Sequence, residues 1–480
     1  MSDALLLLRS EWTKFRSVPG WWRGIAVAAL MIALFPAVGL GGAPPDQTSQ
    51  VPTGPDGTPV NDAYYLVHRA LTGDGSITVA VTALTSERAS PWAKAGLIIT
   101  AGPELGARYA AVMITGAHGV RMQHDYLSDH AGPPGAGVRW LRLTRAGDTV
   151  TGEASTDGTT WSVLDTVRLP GLAGTVRAGL FVACPPRVEG LGTAADVATA
   201  AFDAPRLAGD WSPADWTGEQ VGAHTAGFAG YAPGREGGYA PAGDGFTVTG
   251  AGDVGPATRA DVPIGAAAGD LLIGTFPALV VVVVIGTLMI TAEFRTGLIR
   301  STLSAGPRRG RVLAAKAAVL AGVTFAAALT ATALALPVWL RVVRGLGVYV
   351  FPVPPGVLLR AEVGTAAVLA VTAVFALGVG TILRRGAAAV TTVVAVTVLP
   401  YLLALTPFTP APLALWLTRV TPAAAFAVQQ TVTPYQHVDG VYTPALGYYP
   451  LSPWAGLAVL CAYTALTLAV AAVLFRRRDV

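Results

Sequence analysis

ITAEFRTGLIRSTLSAGPRRGRVLAAK, residues 290–316, decides how this chain is read. It follows the apolar run LLIGTFPALVVVVVIGTLM and precedes a second, AAVLAGVTFAAALTATALALPVWL. A plain hairpin between two membrane spans needs only a few polar residues. This connector is instead compact, basic and helix-competent, with Leu298, Ile299 and Leu303 as its apolar members and Gly306, Pro307 and Gly310 placed for sharp reversals.

Working outward, the composition agrees with a membrane chain. Charged residues make up 13% and hydrophobic residues 52%, against about a quarter charged in soluble domains, and the mean hydropathy is +0.52. A net charge of +4 gives no reason to expect a nucleic-acid partner. The two cysteines, Cys184 and Cys461, fall in a polar and an apolar region, so no disulfide and no cysteine metal site is expected.

A spanning helix needs about 20 apolar residues to cross a core of about 30 Å. Six runs qualify: 24–40, 271–292, 312–340, 363–383, 386–405 and 454–475. Lys and Arg set their orientation. Arg9, Lys14, Arg16, Arg23, then Arg295, Arg300, Arg308, Arg309, Arg311, Lys316, then Arg384, Arg385, then Arg476, Arg477, Arg478 fall on one side. The other side's short loops hold only Arg341, Arg344, Arg360 and Arg419. Six alternating spans therefore put both termini, residues 293–311 and the tail 476–480 in the cytoplasm, and residues 41–270 outside. Reading the first run as a cleaved signal peptide would split the basic loops between sides, so it is kept as a span. Lys316 and Glu362 stand near span ends, where long side chains are expected to reach water.

Residues 1–23 read as an amphipathic interfacial helix. Leu5, Leu8, Trp12 and Phe15 recur at helical spacing, with Arg9, Lys14 and Arg16 off that stripe. No phosphate-loop pattern G-x-x-x-x-G-K-[ST] occurs, so an ATPase would have to be a separate chain.

These segments carry a resemblance. SEWTKFRSVPGWW, the 290–316 stretch, RVTPAAAFAVQQ and PLSPWAGLAVLCAYTALTLAVAAVLFRRRDV resemble, in order, the membrane subunits of type-2 (exporter-class) ABC transporters. The resemblance covers roughly half the chain. It implies a six-helix transmembrane domain of ABC exporter type, a coupling helix between spans two and three, and a re-entrant segment before the last span. By position these are residues 296–307 and 411–430. It also implies cytoplasmic ATPase subunits that carry ATP and Mg, a second permease copy, and no cofactor or catalysis on this chain. Glu293, Arg295, Thr296, Leu298, Ile299, Arg300, Leu303, Arg308 and Arg309 are then the expected ATPase-coupling interface. Leu5, Leu8, Trp12, Lys14, Phe15 and Arg16 are the expected interfacial-helix contacts.

The fold class expected is a multi-domain membrane protein, with an extracellular all-β jelly-roll or sandwich domain inserted between spans 1 and 2. Residues 41–60 read as a linker, 61–205 as the sandwich, and 206–270 as an irregular Gly/Ala-rich return in which WSPADWTG and GFTVTGAGD hint at short strands. RWLRLTRAGDTVTGEASTDGTTWSVL reads as a meander with Trp140 and Trp161 available for the core. It resembles concanavalin A-like lectin/glucanase domains, a likeness of fold that leaves a glycan, a cargo ligand or nothing at this domain equally open. The glycosidase pattern E-x-D-x-x-E is missing, so no hydrolase is expected. HGVRMQHDYLSDH brings His118, His124, Asp125, Asp129 and His130 together, but at no standard zinc spacing. It reads as a polar strand edge and solvated loop, with no metal ligand assigned. The rival to the exporter is a membrane-anchored lectin-like receptor or adhesion protein without transport. That rival leaves the six spans and the connector helix unexplained.

Overall fold

The computed structural model describes residues 3–40, 51–132, 137, 139–189, 192–222, 237–262, 265–300, 309–406 and 408–477. They form two compact units. One comprises Met1–Thr48, Ile264–Thr433 and Tyr442–Val480; the other comprises Ser49–Pro263 and Pro434–Val441.

The first unit is helical. Its elements are α1 (Asp3–Ser17), α2 (Pro19–Leu34), α3 (Pro36–Leu40), α4 (Thr275–Thr296), α5 (Arg309–Gly345), α6 (Pro355–Leu383), α7 (Gly386–Leu405), α8 (Ala411–Val420) and α9 (Pro453–Arg477). Among the described residues six helices are long and apolar enough to cross a membrane, one for each predicted run. α5 has 37 residues, about 55 Å at 1.5 Å each, and so outruns its predicted bounds at both ends. α1 and α2 part at Val18, which is extended because Pro19 follows it. α6 and α7 part at Arg384, which takes a left-handed conformation.

Small residues let the helices approach. A Cβ on Gly286 of α4 would stand 2.3 Å from the Ala373 carbonyl oxygen of α6, and one on Gly456 of α9 would stand 2.1 Å from the Ala424 oxygen. The segment predicted to re-enter is a bent pair: α8 and the 3-10 helix Pro422–Gln429 meet at 99°. Pro422 cannot continue α8, and Thr421 accepts from the Ala423 N–H at the bend. At the far end, the Gln429 amide donates to Thr275 (2.9 Å) and Thr365 (3.0 Å), tying the pair to α4 and α6.

The second unit is a β-sandwich. Its strands are β1 (Val60–Asp62), β2 (Tyr64–Ser86), β3 (Lys94–Thr100), β4 (Tyr109–Thr115), β5 (Val120–His124), β6 (Ser128–Ala131), β7 (Trp140–Ala146), β8 (Thr149–Ser155), β9 (Ser162–Arg168), β10 (Thr175–Ala183), β11 (Arg187–Glu189), β12 (Gly192–Ala194), β13 (Ala198–Phe202), β14 (Arg206–Trp211), β15 (Thr217–Val221), β16 (Gly238–Ala242), β17 (Gly245–Gly250) and β18 (Val254–Pro256). β2 belongs to both sheets. Its first half pairs with β10 and β15, and its second half with β7 and β13. It bends at Gly73, whose φ of +68° suits only glycine without strain. Among the described residues, one sheet runs outward through β10, β3, β4 and β5 to a free edge at β6, and the other runs through β7 and β8 to a free edge at β9. Between them lies a core of Leu97, Val112, Met122, Leu141, Leu143 and Leu180, among others.

Two expectations are corrected. The segment 206–270 is not an irregular return, because its described residues supply β14 to β18. β2 is 23 residues long and leaves an edge that β13, β14 and β15 complete in succession, so Gly-rich sequence becomes strand by pairing rather than by propensity. Trp140 and Trp161 are half-buried rather than in the core; the guanidinium of Arg206 lies 4.9 Å over Trp140 and that of Arg142 lies 4.2 Å over Trp161.

Candidate functional site

The expected coupling elements meet at one end of the helical unit. α4 ends at Gly297, whose φ of +73° turns the chain away. One turn earlier it presents Glu293, and α5 presents Lys316 two turns after its start. The Lys316 ammonium lies 2.8 Å from Glu11 Oε2 of α1 and 2.5 Å from Glu293 Oε1. Glu11 also takes Lys14 at 2.9 Å, and Lys14 stands 3.9 Å from Glu293. Two carboxylates and two ammonium groups thus bind three helices. Lys316 does not reach water as its position predicts: it is 1% exposed, as is Glu11. Burying such charges costs several kcal/mol per ion unless each is paired, so the cluster forms only when all three helices are in place. Glu293 keeps one buried oxygen, Oε2, without a hydrogen-bond partner among the described residues.

The other ends gather nearby. Arg309 donates to the Phe475 carbonyl of α9 at 2.9 Å, Phe475 packs edge-on against Phe294 of α4, and Arg384 lies 4.9 Å over Phe294. The end of α4 and the α6–α7 turn line a cleft of about 960 Å³ that carries Arg295, Arg300, Arg384 and Arg385. A cleft lined by arginines favours acidic groups of a partner.

The predicted interface residues divide. Ile299 is buried in the helical core, whereas Leu298 is 58% exposed. Arg295, Thr296 and Arg300 are exposed, and the Thr296 hydroxyl donates to the Ala292 carbonyl. Leu303, Arg308 and most of the predicted 296–307 helix lie outside the described residues. On α1 the predicted stripe splits: Phe15 is buried and Leu8 packs against the core, while Leu5, Trp12 and Arg16 face outward. The inward face is completed by Glu11, which the stripe missed because a carboxylate reads as solvent-facing until its lysine is known.

In the β-sandwich the polar cluster of HGVRMQHDYLSDH comes apart. His118 stacks on Trp92 at 3.9 Å. Arg108 donates to Asp125 at 2.6 Å; burial still pushes that carboxyl above its usual range. Burial would raise Asp129 too, but hydrogen bonds from Arg121 and Gln123 hold it below the usual value. His124 and His130 remain, stacked 6.2 Å apart, facing Asp165 of β9.

No family model matches the chain, and no curated protein matches it. Among solved structures, a functionally unknown protein from Saccharomyces cerevisiae is 15% identical with a TM-score of 0.19, over 32% of this chain and 75% of that one. SCP-B, a member of the eqolisin family of peptidases in complex with the tripeptide Ala-Ile-His, is 10% identical with a TM-score of 0.27, over 40% and 98%. Scytalido-glutamic peptidase with a peptide-based transition-state analogue is 7% identical with a TM-score of 0.24, over 40% and 98%. At these scores none carries a fold or an activity over to this chain.

Proposed function

We propose that this chain is the membrane subunit of an ATP-driven exporter of the type-2 ABC class, working with separate ATPase subunits and a second permease copy. It crosses the cell membrane six times with both termini cytoplasmic, and its β-sandwich stands outside. The supporting observation is the buried cluster of Glu11, Lys14, Glu293 and Lys316. It makes α1, the end of α4 and the start of α5 one mechanical unit, next to an arginine-lined cleft. A push delivered to residues 296–307 by a partner would pass through Glu293 and Lys316 into two long helices at once, without dissipating in a loose loop. The arginines supply the complementary charge for an acidic docking surface and also the positive-inside bias.

The test is purification of the chain from its native membrane in mild detergent, with mass spectrometry of what accompanies it. A P-loop ATPase in comparable amount, lost when residues 296–307 become a Gly/Ser loop and reduced by Arg300→Glu, is the expected result. No ATPase, from membranes that contain one, overturns the exporter and promotes the lectin-like receptor.

A further inference from the structure

The two histidines that the polar cluster leaves over are oriented by strand register. In the β5–β6 hairpin His124 pairs with Ser128 and Met122 with His130, so both imidazoles share the face of Met122. Met122 points into the core between the sheets. Asp165 of β9 pairs with Gly152 of β8, and a Cβ on Gly152 would meet the Met122 sulfur at 2.5 Å. The Asp165 column therefore lies across from the His124–His130 column, where the free edges β6 and β9 come together.

The groups converge at ion-pair distance, with no hydrogen bond between them among the described residues. Asp165 Oδ2 is 3.4 Å from His130 Nε2 and 3.9 Å from His124 Nε2. One ligand atom from each of the three residues lies within 4.8 Å of the other two. Asp165 Oδ1 is occupied by the Thr166 N–H at 2.8 Å, which leaves Oδ2 turned to the imidazoles. Among the described residues neither ring makes a hydrogen bond, and the Nδ1 of His124 is buried without a partner. Hydrogen-bonded His–Asp pairs would sit closer and better aligned. A tetrahedral ion with bonds of about 2.1 Å instead sets its ligands about 3.4 Å apart, close to the 3.4 and 3.9 Å that separate Asp165 Oδ2 from the two imidazole nitrogens.

We propose that His124, His130 and Asp165 bind one divalent transition-metal ion of the zinc class, cross-linking the free edges of the two sheets. Two imidazoles and one carboxylate suit this borderline class of metal and are poor ligands for calcium or magnesium. Three protein ligands leave a coordination position for water or for an incoming donor atom. The sequence could not assign the site because its third ligand stands on a strand that only the sandwich brings near.

The test uses the full-length chain in detergent, purified without a polyhistidine tag, stripped with chelator and dialysed against trace zinc. One equivalent of zinc per chain is expected, measured by elemental analysis. His130→Gln and Asp165→Asn sit on different strands and should each weaken affinity by about 100-fold or more. His118→Gln, which alters the ring stacked on Trp92, should bind like the wild type. Cobalt(II) should give visible d–d absorption in the wild type and the His118→Gln variant but not in the other two. A wild-type chain that retains no zinc, or His130→Gln and Asp165→Asn variants that both retain as much as wild type, would overturn the proposal.

Discussion

Each unit buries one lysine, and the two are neutralised differently. Lys94, in the β-sandwich, gives its three donors to Asp253 Oδ1 at 2.5 Å, the Val254 carbonyl at 2.8 Å and Gln123 Oε1 at 3.4 Å. That is one cation, one anion and two neutral acceptors, with the Asp253 oxygen also held by the Val254 N–H. Lys316, in the helical unit, is shared by two carboxylates from two other helices, with Lys14 as the second cation. The first arrangement is a closed pair that ties β3 and β5 to the start of β18, which belongs to a separate two-stranded sheet with β1. The second is an open cluster whose charge balances only while three helices hold their places. A group that must transmit movement fits the second pattern better than the first.

The largest effect is expected where removal strands the most charge. Lys316→Met leaves Glu11 and Glu293 facing one another with only the half-exposed Lys14 between them. We expect about 5 kcal/mol of destabilisation, the upper range for breaking a buried ion pair. Thermal unfolding in detergent should show it, together with new proteolytic cleavage in α1. Glu11→Gln, Glu293→Gln and Lys316→Met combined should regain most of the stability, because the charge that stays in the cluster is that of Lys14, which is half-exposed and reaches water. If the cluster also transmits force, this neutral triple variant still loses transport. A Lys316→Met protein that melts like wild type would break the comparison at its root.

Lys94→Met strands one carboxylate rather than two. The loss should be smaller, about 4 kcal/mol, and should fall on the β-sheet signal. Lys94→Met with Asp253→Asn should recover most of it. Equal losses at Lys94 and Lys316 would mean that sharing a lysine between two acids adds nothing.

The two lysines also show what the sequence carried. The six apolar runs and the tight connection at Arg384–Arg385 were legible, because length and hydropathy are local properties. The β7–β8–β9 meander was legible in RWLRLTRAGDTVTGEASTDGTTWSVL. The partners of Lys316 were not: Glu11 stands 305 residues away, beside an apolar stripe whose helical spacing is complete without it. Nor were β14 and β15, which pair because β2 offers them an edge. Asp165 failed for the same reason, since nothing near it in sequence marks it as a ligand.

A third buried charge sharpens the comparison, because it has no lysine. Asp62 accepts from the Gly106 N–H at 2.9 Å, and burial raises its pKa from 3.8 to about 6, against smaller opposing effects of that hydrogen bond, Tyr126 and Arg177. The folded state therefore holds a proton that the unfolded chain has already released between pH 3.8 and about 6. Stability from this group is greatest below that window and falls as pH rises through it, by about 3 kcal/mol in all. Asp62→Asn keeps an acceptor for Gly106 and carries no charge. Its unfolding free energy should lack this decline, so it gains on the wild type as pH rises from 4 towards 7. Parallel pH profiles for the two proteins would mean that Asp62 is ionised at no cost and that a buried carboxylate here needs no cation.

The smallest effect concerns charges neutralised by neither a carboxylate alone nor a proton. Arg142 is held by Glu153 through two hydrogen bonds, of 2.5 and 2.6 Å, and lies 4.2 Å over the Trp161 ring. Trp161 thus serves as a half-exposed cover for a cation. Trp161→Leu should cost about 1 kcal/mol, the scale of an exposed cation–π contact. A tryptophan in the core would cost about 3–5 kcal/mol on truncation to alanine, through the cavity it leaves. Urea unfolding of Trp161→Leu and Trp161→Ala separates the two. Small, nearly equal losses place the ring on the surface as a partner for Arg142. A steep loss in the alanine variant alone would return it to the core and make the arginine incidental. The same pair of substitutions in an Arg142→Met background isolates the contact itself, because a ring that acts through the cation loses its effect when the cation is gone.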